Sequence, residues 1–103
     1  MSDLQRVGPF HSARIRPDNG STMYLGNDGG FGVVVELANG VYQIDTTVPY
    51  GPGDTFFVTS ESSDVAPVVE RVNATRIVVR LFANDGSLVG STFAIVWYRL
   101  LLG

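Results

Sequence analysis

The sequence predicts an all-β protein, a compact antiparallel β-sandwich or jelly-roll-like barrel of about six to eight short strands. Three observations carry that prediction. Apolar residues recur with period two in stretch after stretch, and no stripe of period 3.6 persists. The 12 glycines and 5 prolines fall between those stretches as punctuation. With 103 residues, 45% of them hydrophobic, the chain can close one modest core and no more. A single domain over 1–103 is therefore expected, without linker or internal repeat.

Taken in order, residues 1–10 place Leu4, Val7 and Phe10 between breakers, a pattern that suits an extended N-terminal arm lying on a neighbour. His-Ser-Ala-Arg-Ile-Arg (11–16) is a strand candidate. Residues 17–31 are rich in Asp, Asn and Gly and form a turn-rich loop around one short strand at Thr22–Leu25. Gly-Val-Val-Val-Glu-Leu (32–37) and Gly-Val-Tyr-Gln-Ile-Asp-Thr (40–46) flank Asn39-Gly40, a type I′ hairpin signal. The breaker run before Thr55 leads into a short strand at 55–60. Residues 66–72 make another, in which Pro67 is confined to an edge or a first strand position because it cannot donate to a ladder. Residues 75–82 alternate cleanly, with Arg76, Val78, Arg80 and Phe82 on one side and Ile77, Val79 and Leu81 on the other. A turn at Asn84-Asp85-Gly86 returns the chain into the longest strand, 91–102.

That closing strand raises the functional question. Residues 94–103 hold eight apolar residues, one arginine and a final glycine. Phe93, Ile95, Trp97 and Arg99 share one face, and Ala94, Val96, Tyr98 and Leu100 the other. A strand with one wet face should alternate apolar and polar, and this one does not. One face meets the opposing sheet. The second is covered either by another subunit or by the segment Leu4–Ile15 folding over it. The run is far short of the ~20 residues that span a bilayer, so no membrane role is expected. The candidate interface is Leu4, Val7, Phe10, Trp97, Tyr98, Arg99, Leu100, Leu101 and Leu102.

Charge narrows the partners further. Charged residues are 17% of the chain, the net charge is −3, and no cysteine is present. The charged fraction lies below the roughly 25% of ordinary globular chains, so much of the surface is apolar or small-polar. An acidic chain lacks the clustered cations of a nucleic-acid binder. All seven basic residues are arginine, which genome composition explains and which also suits interface ion pairs. Charges beside so much apolar surface should be paired, and Glu36, Glu70 and Asp45 are the expected partners of Arg76, Arg80 and Arg99. The opening ten residues carry an acid and no apolar core segment, so no signal peptide is expected and synthesis is expected in the cytoplasm.

Catalytic patterns are weak. His11, the single histidine, has no nucleophile or acid at a recognised spacing. The Asp18-Asn19 and Asn27-Asp28 turns lack the register of a calcium loop and are read as Asx-turns, in which the side chain caps its own backbone. No cofactor or metal is expected. As ligand loops, 17–31 and 47–54 offer Asp18, Asn19, Tyr24, Asn27, Asp28 and Tyr50. Tyr24, Tyr42, Tyr50 and Trp97 could stack on a sugar, although such aromatics are more often core or interface anchors.

The stretches Gly-Val-Tyr-Gln-Ile-Asp-Thr-Thr-Val-Pro-Tyr (40–50), Thr-Phe-Phe-Val-Thr-Ser (55–60) and Asn73–Arg99 resemble the small β-sandwich modules of tailed-bacteriophage virions. These include tail-fibre tips and capsid decoration proteins. The resemblance spans about residues 40–99. It implies a homotrimer without enzymatic activity at the virion surface, bound to the major capsid protein or another virion protein. No His-x-His metal motif of the fibre tips is present, and no shaft precedes the module. The resemblance therefore reads as a knob or cement protein on the capsid, with a glycan-binding tail-fibre tip as the alternative.

Overall fold

The structure, a computed structural model, describes residues 5–18 and 21–102, with side chains at 11–17 and 24–99. Among the described residues eight strands follow one another without a helix: β1 (Gln5–Asp18), β2 (Ser21–Asn27), β3 (Phe31–Ala38), β4 (Val41–Thr46), β5 (Thr55–Ser60), β6 (Ala66–Asn73), β7 (Arg76–Phe82) and β8 (Phe93–Leu102). They pair antiparallel into two four-stranded sheets, β2-β1-β8-β5 and β3-β4-β7-β6. The fold is a β-sandwich, as the alternation of the sequence requires.

Each sheet turns one face inward. Ile15, Phe93, Ile95 and Trp97 of the first sheet meet Phe31, Tyr42, Ile44, Ile77, Val79 and Leu81 of the second in one core. In β4 and β7 these positions obey the period-two alternation of strands, so the core side of those two is readable from spacing alone. Burying side chains of this size contributes roughly 1.5–3 kcal/mol each. That sum must offset the conformational entropy of ordering the chain.

The 32–37 and 40–46 stretches form the expected hairpin. Its turn holds Gly40 at φ +80°, and a Cβ there would stand 2.7 Å from the Val89 backbone nitrogen. Two constraints therefore select glycine: left-handed backbone, and the close passage of the segment before β8. The Gly40 carbonyl also accepts from Leu81 N at 2.9 Å, which ties the turn to β7.

The N-terminal segment departs from expectation. Leu4 lies outside the described residues. From Gln5 onward the proposed arm is the first part of β1, registered on β8 of the same chain from Gln5↔Leu102 through Pro9↔Tyr98. A bulge between Pro9 and His11 then re-sets the ladder, as suits a proline that lacks an N–H. Because β1 lies beside β8 in one sheet, it does not fold over the second face of β8, and that face stays open. β2 begins to pair with β1 at Ala13↔Asn27, and β5 pairs with β8 no further than Thr55↔Tyr98. Beyond that point Gln5–Gly8 and Arg99–Leu102 continue as a two-stranded ribbon, with no third strand among the described residues. It is the natural source of the long dimension of a molecule measuring 48 × 26 × 23 Å.

Gly40→Ala should lower stability by about 2 kcal/mol, the left-handed penalty plus displacement of the Val89 backbone. Thermal unfolding followed by circular dichroism should show a midpoint lower by roughly 10 °C. An unchanged midpoint would mean that the turn relaxes without cost.

Candidate functional site

The connections fall at two ends of the sandwich. One end carries residues 28–30, 47–54 and 74–75, and the other carries Asp18 and Ser21 with 39–40, 61–65 and 83–92. The proposed ligand loops are thereby separated. Strand β2 runs the length of the sheet between them, so Asp18 sits at one end and Asn27, Asp28 and Tyr50 at the other. The Asp18 side chain and Asn19 lie outside the described residues.

At the 47–54 end a single carboxylate organises the chain. Asp54, only 5% exposed, accepts from Trp97 Nε1 at 3.0 Å, from Gly51 N at 2.9 Å and from Arg99 Nη2 at 3.0 Å. Arg99 also donates to the Pro49 carbonyl at 3.1 Å and lies over the Trp97 ring. From the second sheet Arg71 reaches across to donate to the Asp54 carbonyl and lies over the rings of Tyr50 and Phe56. Burial acts to raise the Asp54 pKa, but the hydrogen bonds from Arg99, Gly51 and Trp97 and the charge of Arg99 hold it below the usual value. The arginine in the closing apolar run is therefore paired, with Asp54 and not with the acids expected for it. Arg76 with Asp45 and Arg80 with Glu70 do pair as expected.

His11 finds an acid that its sequence neighbours could not reveal. Its Nδ1 is 3.0 Å from Asp28 Oδ1, and its ring stands 5.4 Å from the centroid of Trp97. Asp28 also accepts from Ser12 N at 3.0 Å and Gly30 N at 3.1 Å. Burial works upward on the Asp28 carboxyl, yet these two backbone donors and His11 keep its pKa low. A Cβ on Gly30 would collide with the imidazole, so glycine is the residue that lets the ring seat there. The pair closes the β2–β3 turn onto β1. Among the described residues no group of three or more His, Cys, Asp or Glu comes together.

The other nominated residues are scaffold. Asn27 forms the expected Asx-turn, accepting from Gly29 N at 3.1 Å and donating to the Phe31 carbonyl at 2.7 Å. Tyr24 donates to the Gly32 carbonyl at 2.7 Å and Tyr50 to the Arg76 carbonyl at 3.2 Å, each packed against the core. Tyr42 and Trp97 are fully buried. Four aromatics held this way cannot serve as a stacking surface for a ligand.

What the molecule presents outward lies on its sheet faces. On the second sheet Val33, Val35 and Leu37 of β3 and Val68 of β6 are 41–64% exposed. Between them lie Val41 and Val78, crossed by the Arg76–Asp45 and Arg80–Glu70 pairs. On the first sheet Phe57 is 58% exposed, and its ring makes a T-shaped contact with that of Tyr98. Sequence reasoning missed these positions although the signal was present. Phe56-Phe57 and Val33-Val34-Val35 are consecutive apolar residues in strands, so alternate members must point out. Fold and surface together define a β-sandwich whose chemistry is on its outer faces. No family model, curated protein or solved structure matches the chain.

Asp54→Asn should cost about 2 kcal/mol at pH 7, because Arg99 loses its anion. The depressed Asp54 pKa contributes stability that is fully present above the ordinary carboxylate pKa and disappears as pH falls through the folded value. The gap between wild type and variant should therefore close in acid. Urea unfolding read by the fluorescence of Trp97, from pH 7 downward through the folded Asp54 titration, measures it. A gap that persists in acid would assign the cost to shape and not to charge.

Proposed function

We propose that this protein is a non-enzymatic virion structural module, a decoration or cement protein that docks on a phage capsid and associates with copies of itself. The observation that carries the reading is the aliphatic outer face of the β3-β4-β7-β6 sheet. A monomer gains nothing by aligning Val33, Val35 and Leu37 outward on an edge strand, where they invite unwanted pairing. Contiguous exposed apolar patches mark interaction surfaces. Covering each of these side chains is worth roughly 1.5 kcal/mol or more, and the two ion pairs that cross the face supply polar register within it.

The nominated interface at Trp97, Tyr98, Arg99 and Leu100–Leu102 is read in the same terms with one change. Trp97 belongs to the core, Arg99 to the Asp54 network, and Tyr98 packs against Phe57, which leaves the two-stranded ribbon for contact between subunits. A two-stranded ribbon is marginal by itself in water, so a neighbour's strand would complete it. The trimer comes from the virion resemblance.

The doubly substituted Val33→Asp, Val35→Asp chain should fold as the wild type does, since both side chains face solvent. It should fail to co-sediment with expanded, undecorated capsids that retain the wild-type protein. Undiminished co-sedimentation would remove this face from the capsid contact. Light scattering of the full chain at micromolar concentration should give a mass above that of one 11.1 kDa chain. A monodisperse monomer would overturn the self-association.

A further inference from the structure

The opposite face of the sandwich carries different chemistry. Across the β2-β1-β8-β5 sheet, Ser12, Val96 and Phe57 stand in one row. Gly26, Arg14, Ala94 and Thr59 stand in the next, and Tyr98 and Thr55 flank the first row on its other side. Phe57 is the exposed aromatic of this face. Its ring meets Tyr98 edge to face, with centroids 5.3 Å apart and planes at 89°, which fixes the plane it offers to solvent.

Beside this aromatic pair the sheet surface sinks. Ser12, Gly26 and Ala94 bring short side chains together, and an open groove of about 470 Å³ runs over them, bounded by Val96, Arg14 and Asp28. A Cβ on Gly26 would meet nothing within 4 Å, so the floor there is open. Thr55 and Thr59, both exposed, stand on either side of Phe57 along β5. The half-exposed Asp28 carboxylate lies at the far end. Arg14 is paired with Glu61, and the Asp28 carboxylate is hydrogen-bonded to His11 Nδ1.

We infer that this face is a binding site for a neutral saccharide, with the ring of a pyranose stacked on Phe57 and its chain lying along the groove toward Asp28. A pyranose has an apolar C–H face and a rim of hydroxyls. The C–H face matches the negative face of an aromatic ring. The rim requires donors and acceptors around that ring, which Thr55, Thr59, Ser12 and Asp28 provide. Internal pairing of Arg14 removes the cation that an anionic ligand would seek, so the surface complements an uncharged polyol. From β5 to β2 the face spans three strand spacings, roughly 14 Å, enough to seat an oligosaccharide. The site stands on residues separate from the aliphatic face, and the two sheets look in opposite directions. A module docked by one face would present the other outward.

The test is binding of the full-length chain to an array of immobilised neutral oligosaccharides (glucose-, galactose-, mannose- and N-acetylglucosamine-based) beside sialylated and sulfated ones. At least one neutral probe should bind saturably. Phe57→Ala should weaken it about tenfold or more, while Phe57→Tyr retains it. Unchanged Trp97 fluorescence and thermal midpoint in Phe57→Ala would show that folding is not the cause. The Val33→Asp, Val35→Asp chain should bind sugar normally, which separates this inference from the capsid reading. Absence of any saturable neutral probe, binding confined to acidic probes, or affinity that survives Phe57→Ala would each overturn it. A smaller mass for Phe57→Ala in light scattering would also overturn it, because Phe57 would then lie between copies.

Discussion

One carboxylate sets the geometry of the sandwich end. Asp54 accepts from the indole of the largest buried side chain, from the guanidinium two residues further along β8, and from the backbone of its own loop. An isolated anion at that depth would be too costly to keep ionised. It is tolerated because its oxygens are filled by donors that are themselves fixed in place. The consequences spread outward. Trp97 cannot rotate without leaving Asp54, Arg99 is aimed back over the indole, and residues 51–54 are fixed as a tight turn by Gly51 N and Asp54 N. Arg71 of the opposite sheet closes the same end from the other side, so the two sheets are joined there by polar contacts as well as by the core.

A second fastening lies where β2 turns into β3. Here His11 and Asp28 join β1 to the turn, while Thr47 N donates to the Gly30 carbonyl at 3.0 Å and brings in the connection 47–54. Tyr50 N and Thr46 N donate to the Ala74 and Thr75 carbonyls, which adds the β6–β7 turn. Every connection at this end is therefore tied to another, and a loop fastened in this way is poorly suited to closing over a ligand. The sheet faces, with their alternate residues projecting freely, are the places where chemistry is left over.

Much of this was legible before any coordinate was known. Period-two spacing in 40–46 and 75–82 fixes which residues enter the core, and Asn39-Gly40 fixes a hairpin, because both are local constraints. In 32–37 the same spacing would bury Val33, Val35 and Leu37, which face solvent because the ladder of β3 shifts register at both ends. Arg80 with Glu70 and Arg76 with Asp45 could be anticipated from charge beside apolar surface. The partnership of Asp54 with Arg99 could not, since it joins residues 45 positions apart through a sheet pairing that no local pattern encodes. His11 met Asp28 for the same reason. Residues 5–10 join β1 although their glycine and proline look like breakers, because β8 offers a free edge and a bulge absorbs Pro9. The candidate site was the least legible part. The eye goes to tyrosine and tryptophan, but these were spent on the core, while Phe57 declared itself only by standing next to Phe56.

The ribbon formed by the two ends of β1 and β8 also determines how the molecule responds to tension. Gln5 and Leu102 are direct partners at the tip of one antiparallel ladder. A pull applied between them opens that ladder one bond at a time, like a zip, and never loads many bonds in parallel as shear along the strands would. The weakest direction of this fold thus runs through the tip of the ribbon. Loads carried from sheet face to sheet face bypass the ribbon, and meet the packed core instead.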